Sequence, residues 1–163
     1  MFKLHFHTNI YRDDGQLKTS QIFCKKVPSN INNIGGTVKS VIDYLHSIYG
    51  PLSECDLFEV KVILNELILN AMKHGNKEDD KKFIKICAEL KNQKDLFIAI
   101  EDSGEGYDYD DVLSIQACTD SEKDICDLKE TGRGLLIVKN LCDKIKFNKK
   151  GNKVIVVKSI GTN

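Results

Sequence analysis

Net charge is missing from this chain: 24 lysines and arginines balance 24 aspartates and glutamates. That leaves no general attraction to nucleic acid or to an acidic membrane surface, although local patches remain open. Long apolar runs are missing too, since nothing approaches the roughly 18 residues needed to span a bilayer. The opening stretch "MFKLHFHTNIYRDDG" is too polar, and its apolar part too short, for a signal peptide. A cytoplasmic location is therefore expected, with neither a membrane nor nucleic acid as a direct partner. No two of the six cysteines (Cys24, Cys55, Cys87, Cys118, Cys126 and Cys142) form a C-x-x-C pair. Without such clustering neither a metal site nor a disulfide framework is expected, and the cysteines read as reduced thiols. His5 and His7 would share one face of a strand, but with no further ligands nearby they read as a polar face. Only two prolines interrupt the chain, and no internal repeat or low-complexity segment is visible.

What is present suits an ordinary globular protein. The 163 residues are 41% hydrophobic and 29% charged. That is enough for a substantial core in one domain covering 1–163. After a strand-like "TSQIFCKKV", Pro28-Ser29 offers a helix start. Ile31, Ile34, Val38, Val41, Ile42, Leu45 and Ile48 then recur at the spacing of an amphipathic helix, which Gly50-Pro51 ends. Ser53 or Asp56 can cap a second helix running to about His74 and stopping at Gly75. In "FIKICAELK" apolar and polar residues alternate as in a half-buried strand. "LFIAIED" is apolar on both faces and reads as a central strand. A polar stretch from Ser103 to Thr131, too long for an ordinary loop, precedes a helix from Leu135 to about Leu141. The hairpin "KIKFNKK", Gly151-Asn152, "KVIVVKSI" follows. The order β, α, α, β, β, loop, α, β, β predicts an α/β two-layer sandwich. Its sheet would be mixed and mostly antiparallel, with helices on one face.

Three stretches stand out chemically. In "LNELILNAMKHGN", Glu66 and Asn70 are four residues apart, so they lie about 40° apart around a helix and share a face. Lys73 falls near the same face, while Val60, Leu64, Leu67, Ile68 and Ala71 lie opposite. Burying a carboxylate and a carboxamide is costly unless each has a partner, although the pair could also mark a solvated helix edge. In "EDSGEGYD", Asp102 ends a strand, and Gly104 and Gly106 let the backbone turn tightly toward a flat ligand. Such a pattern also occurs in plain turns, and the dinucleotide-binding fingerprint is not met. In "ETGRGLLIVKN", Gly132 and Gly134 flank Arg133 where a helix begins. Free backbone N–H groups there would form an anion site to which Arg133 adds a cation. The glycines could equally serve only a loop-to-helix turn. Neither a P-loop nor the signature of an ordinary protein kinase is present.

In this order and on these elements, the three motifs resemble those of the GHKL ATP-binding superfamily (gyrase, heat-shock 90 chaperone, histidine kinase, mismatch-repair ATPases). "NELILNAMKHGN" resembles its N box, "EDSGEGYD" its first glycine box and "TGRGLLIVKNLCD" its second. The chain is more similar still to bacterial anti-sigma-factor serine/threonine kinases. Those are stand-alone domains of this size whose glycine-led helix is closed by an aspartate, here Asp143, before a terminal hairpin. The resemblance covers Gln21 to Ile160 and implies the Bergerat ATP-binding fold.

It further implies roles. Asn70 would hold Mg²⁺ between the protein and the phosphates of ATP, one protein ligand being typical of that ion. Glu66 would be the general base. Asp102 would accept a hydrogen bond from the adenine amino group, selecting ATP over GTP. Gly104 and Gly106 match the purine-side glycines, while Gly132, Arg133 and Gly134 match the phosphate-side loop. Lys73 stands where histidine kinases often place a phosphate-reaching lysine, and residues Tyr107 to Glu130 correspond to a mobile lid. No helix carrying a phosphoacceptor histidine precedes the N box, which argues against a full histidine kinase. The implied activity is transfer of the ATP γ-phosphate to a serine or threonine of a small anti-sigma-factor antagonist. The other implied partner is a sigma factor held in alternation, with a homodimer as the common assembly of such kinases. The alternative is a nucleotide-gated protein-binding regulator of the same fold without phosphotransfer.

Overall fold

The computed structural model describes residues 5–13, 16–106 and 130–161. The expected lid falls on residues 107–129 and so lies outside the described residues, apart from Glu130. Cys118 and Cys126 lie outside them as well.

Six strands and three helices make up the described chain. A hairpin of β1 (His5–Asp13) and β2 (Gln16–Pro28) comes first, then α1 (Ile34–Ile48) behind a short 3₁₀ turn at Ile31–Asn33. Helix α2 (Glu54–Asn70) runs into a π-helical turn, Ala71–Gly75. Strands β3 (Phe83–Lys91) and β4 (Asp95–Asp102), helix α3 (Glu130–Leu141) and strands β5 (Lys144–Phe147) and β6 (Lys153–Ser159) complete the order. The sheet runs β1-β2-β3-β4-β6-β5. Each of its pairings is antiparallel, so the sheet is not mixed as the sequence suggested. The strand suggested at His5 and His7 extends over "HFHTNIYRD" as β1, which the element order read from the sequence left out because the stretch is too polar to show a clear alternation.

Local chemistry explains the boundaries. Ser53 caps α2 by accepting the Asp56 N–H at 3.0 Å, with Glu54 and Asp56 favourably placed in the first turn. The β3–β4 turn closes with Lys94 N–H donating to the Lys91 carbonyl at 3.0 Å. Asn92 and Gln93 both take positive φ there (52° and 57°), the mirror-image turn that matches strand twist. Alternation in β3, β4 and β6 sends Ile84, Ile86, Leu96, Ile98, Ile100, Val154 and Val156 into one core. Val41, Leu45, Ile63, Leu64, Leu67, Ile68, Leu135 and Val138 from the helices meet them there. The helices thus form the second layer on one face of the sheet. Tyr44 reinforces the layer contact by donating its hydroxyl to the Gln21 carbonyl.

One expectation about the cysteines is corrected. Cys24 and Cys87 are joined as a disulfide across β2 and β3. They are directly opposed in the register, with Cα atoms 4.2 Å apart, which brings their sulfurs together although 63 residues separate them.

Candidate functional site

Helix α2 turns one face into the core. Val60, Ile63, Leu64, Leu67 and Ile68 are buried on that face, while Glu54, Cys55, Phe58, Lys61 and Asn65 face water. Within that setting Asn70 is buried and Glu66 half-buried. The side-chain Nδ2 of Asn70 has no hydrogen-bond partner. An unmet buried amide costs about 1–3 kcal/mol, so its retention points to a partner from outside the chain. The helix widens to the π-helical turn immediately after Asn70, a distortion often found at functional positions. Lys73 lies half-buried on that turn.

Helix α3 packs against α2 at this level. A Cβ on Gly134 would stand 2.4 Å from Glu66 Oε2 and 3.7 Å from Asn70 Nδ2. Glycine lets α3 pass close to both polar groups without displacing the Glu66 side chain. The helix starts at Glu130, so Gly132, Arg133 and Gly134 lie within its first turns rather than in a loop ahead of it. Arg133 is exposed there.

Asp102 closes β4 and is buried on the other side of the same pocket, which Asn70, Asp102, Leu67, Leu135 and Asn152 help to line. Its Oδ1 accepts the Gly104 N–H at 2.8 Å. Its backbone is clasped by Asn152, whose Nδ2 donates to the Asp102 carbonyl at 3.0 Å and whose own carbonyl accepts the Asp102 N–H at 3.0 Å. Burial pushes the Asp102 carboxyl above its usual range, and the backbone N–H groups of Gly104 and Asp102 together with Lys150 partly offset this. Gly75 and Gly104 wall the carboxylate: a Cβ on Gly75 would sit 2.3 Å from Asp102 Cγ, and one on Gly104 2.1 Å from the Gly75 carbonyl oxygen. Gly106, at φ +98°, abuts the Lys150 carbonyl, where a Cβ would come within 1.7 Å. It thus fastens the loop to the β5–β6 turn.

Several framing residues were not anticipated as part of a site. Asn76, wholly buried, donates to the Phe83 carbonyl at 3.0 Å and accepts the Ser103 N–H at 2.9 Å, joining the π-helical turn, β3 and the Asp102 loop. Lys150 donates to the Gly104 carbonyl at 3.0 Å. In the sequence Asn152 read only as a hairpin turn residue and Gly75 only as a helix stop. Their extra duty depends on contacts between segments far apart in the chain.

Comparison with known proteins now bears on this arrangement. Residues 35–158 match the family described as "Histidine kinase-like ATPase domain", a span that includes all three motifs. The chain belongs to the histidine kinase-like ATPase family. "Serine-protein kinase RsbW" from Staphylococcus aureus strains JH9 and Newman is 31% identical over 101 residues, covering 61% of this chain and 63% of that protein. Another Staphylococcus aureus RsbW is 31% identical over 96 residues, covering 58% of this chain and 60% of its own. The chain thus spans a little under two thirds of the length of the curated relatives it matches.

A nucleotide with its metal ion fits the residues present. Rotating the Asn70 carboxamide by half a turn offers either an oxygen to a cation or an N–H to a phosphate. The glycine-walled Asp102 presents a buried carboxylate to a flat donor. Among the described residues no group of three or more His, Cys, Asp or Glu could hold a metal alone. A cation here would therefore draw most of its ligands from phosphate oxygens and water, as Mg²⁺ commonly does.

Proposed function

We propose that the chain is an ATP-dependent serine/threonine-protein kinase acting as an anti-sigma factor. It would phosphorylate a small anti-sigma-factor antagonist and hold a sigma factor in alternation. One observation carries the reading: Glu66 and Asn70 share one helix face against Gly134, and Asn70 is buried with an unmet polar group. A carboxylate beside a metal-ready carboxamide suits activation of an attacking hydroxyl or water, whereas nucleotide binding alone needs no base. The similarity to proteins named as serine-protein kinases points the same way.

Asp102 would orient the adenine by accepting its amino hydrogen, and Gly104 and Gly106 would let the backbone lie close to the ring. Asn70 would hold the metal beside the phosphates, and Lys73, Gly132, Arg133 and Gly134 would supply donors and charge to them. Bound Mg²⁺ would neutralise charge on the phosphates during transfer. Glu66 accepts the proton of the attacking serine or threonine hydroxyl. Positioning and charge stabilisation supply most of the catalysis in such transfers.

The test is Glu66→Ala in a phosphotransfer assay with a co-purified antagonist and labelled ATP. The expected outcome is retained ATP binding with transfer reduced at least about 100-fold, the usual contribution of a general base. Unchanged transfer would remove Glu66 as base. Binding without transfer in the parent protein would leave the nucleotide-gated regulator.

A further inference from the structure

The disulfide between Cys24 and Cys87 lies apart from the pocket and from every motif discussed above. Both residues are half-buried and sit on the sheet face opposite the helices, because their neighbours Phe23, Ile86 and Ala88 point into the core. Two residues further along the same face, Lys26 and Lys85 form the next cross-strand pair, and both are exposed. Glu89 shares that face two residues the other way and Glu101 stands opposite Lys85, so the part-exposed pair has charges of both signs beside it. The other described cysteines differ: Glu59 beside Cys55 and burial of Cys142 push those thiols up, which makes them poorer nucleophiles.

We propose that Cys24 and Cys87 form a redox-modification site. In its reduced form the site is a dithiol, which a hydroperoxide converts to the cross-strand disulfide and a low-molecular-weight thiol reopens. One thiolate sulfur attacks a peroxide oxygen. The O–O bond breaks, an alcohol (or water) leaves, and a sulfenic acid remains. The second thiolate attacks that sulfur, the S–S bond forms, and hydroxide leaves to become water. The two thiols lose two electrons and the hydroperoxide gains them. Reopening consumes two small thiols, which leave as their own disulfide. Because β2 and β3 already hold the two sulfurs opposite each other, oxidation requires no rearrangement of the sheet. Closure joins residues 63 apart and encloses both α1 and α2, Glu66 and Asn70 included. A cross-link enclosing that much chain restricts the unfolded state and raises the melting temperature.

The experiment equilibrates the full chain in glutathione buffers of graded reduced-to-oxidised ratio, alkylates free thiols, and maps the digested peptides by mass. The Cys24–Cys87 peptide should pass from near absence to dominance across the series, while Cys55 and Cys142 stay alkylated. Linkage at every ratio, linkage at none, a bridge to another cysteine, or retained glutathione on either residue would overturn the proposal. In parallel, the oxidised parent should melt several degrees above the reduced parent. Cys24→Ser and Cys87→Ser, each checked for native circular dichroism, should melt identically under both conditions. A parent whose melting ignores the redox buffer would also overturn it. Should either serine variant misfold, Cys24→Ala and Cys87→Ala serve in its place.

Discussion

Helix α2 carries two polar clusters, and the two are completed in opposite ways. Near its N-terminal half, Glu59 pairs with Lys158, a buried cation on β6 that also donates to the Leu141 carbonyl at 3.3 Å. That cluster finds every partner inside the chain and ties α2 to β6 and to the end of α3. Near its C-terminal end, Glu66 and Asn70 face Gly134, and Asn70 keeps an unmet buried group. The first cluster serves the fold. The second is left incomplete by the fold, which is the mark of a place where a ligand is expected. Burial alone would not separate them; the state of the hydrogen bonds does.

The comparison can be broken most forcefully at Glu59. Glu59→Ala strands the Lys158 ammonium in a buried setting, and removal of one partner of such a pair costs about 3 kcal/mol. Urea unfolding should show that loss, with Mg²⁺-ATP affinity per folded molecule unchanged. A near-neutral Glu59→Ala would show that the pair does not hold the fold.

Asn70→Ala should behave the other way round. Its Nδ2 has no bond to lose and is unmet, so unfolding free energy should stay level or rise, by up to about 1–3 kcal/mol as that cost is removed. Mg²⁺-ATP affinity should fall at least about tenfold, which is 1.4 kcal/mol. Calorimetric titration on the same samples separates the two effects.

Asp102 sharpens the contrast through pH. Burial raises its carboxyl, so the folded state favours the protonated form, and that contribution is fully present below the ordinary carboxylate range. It fades as pH rises through the raised value, because the buried group must then carry charge. Asp102→Asn removes this segment of the pH dependence, since its amide oxygen can still accept the Gly104 N–H. The variant should therefore gain stability relative to the parent as pH rises from about 4 toward neutrality, while losing ATP-dependent stabilisation. Parallel stability curves for the two proteins would contradict the placement of Asp102 as a buried, ligand-awaiting carboxylate.

The smallest effect lies far from both clusters. Gln93 holds φ +57° in the β3–β4 turn, so Gln93→Gly should stabilise by about 0.5 kcal/mol. Affinity should not move. A change in ATP binding would mean that stability and the site are not separable here.

Much of this was legible in the sequence because the determinants are local. The alternation of "FIKICAELK", the Ser53 cap and the 3.6-residue period of the helices each declare an element within a few residues. The Glu66–Asn70 spacing likewise shows a shared face without any tertiary knowledge. Long-range pairing was not legible. Nothing near Cys24 announces Cys87, since their meeting depends on the register of β2 against β3. Asn152 read as a turn residue, and Asn76 carried no role of its own, because the Asp102 backbone and the Phe83 carbonyl that they bind belong to other segments. The start of α3 at Glu130 was missed because Gly132 and Gly134 read as loop residues, whereas Gly134 lies inside the helix against Glu66.

The central claim is that the incomplete cluster on α2 is completed by a nucleotide with its metal. Thermal unfolding of the parent and of Asn70→Ala, with and without Mg²⁺-ATP, tests it most directly. At about 100 times the parent's dissociation constant the ligand should stabilise the parent by about 2.7 kcal/mol, a shift of several degrees, and the variant by no more than about 1.4 kcal/mol. Equal shifts in both proteins, or none in either, would contradict it.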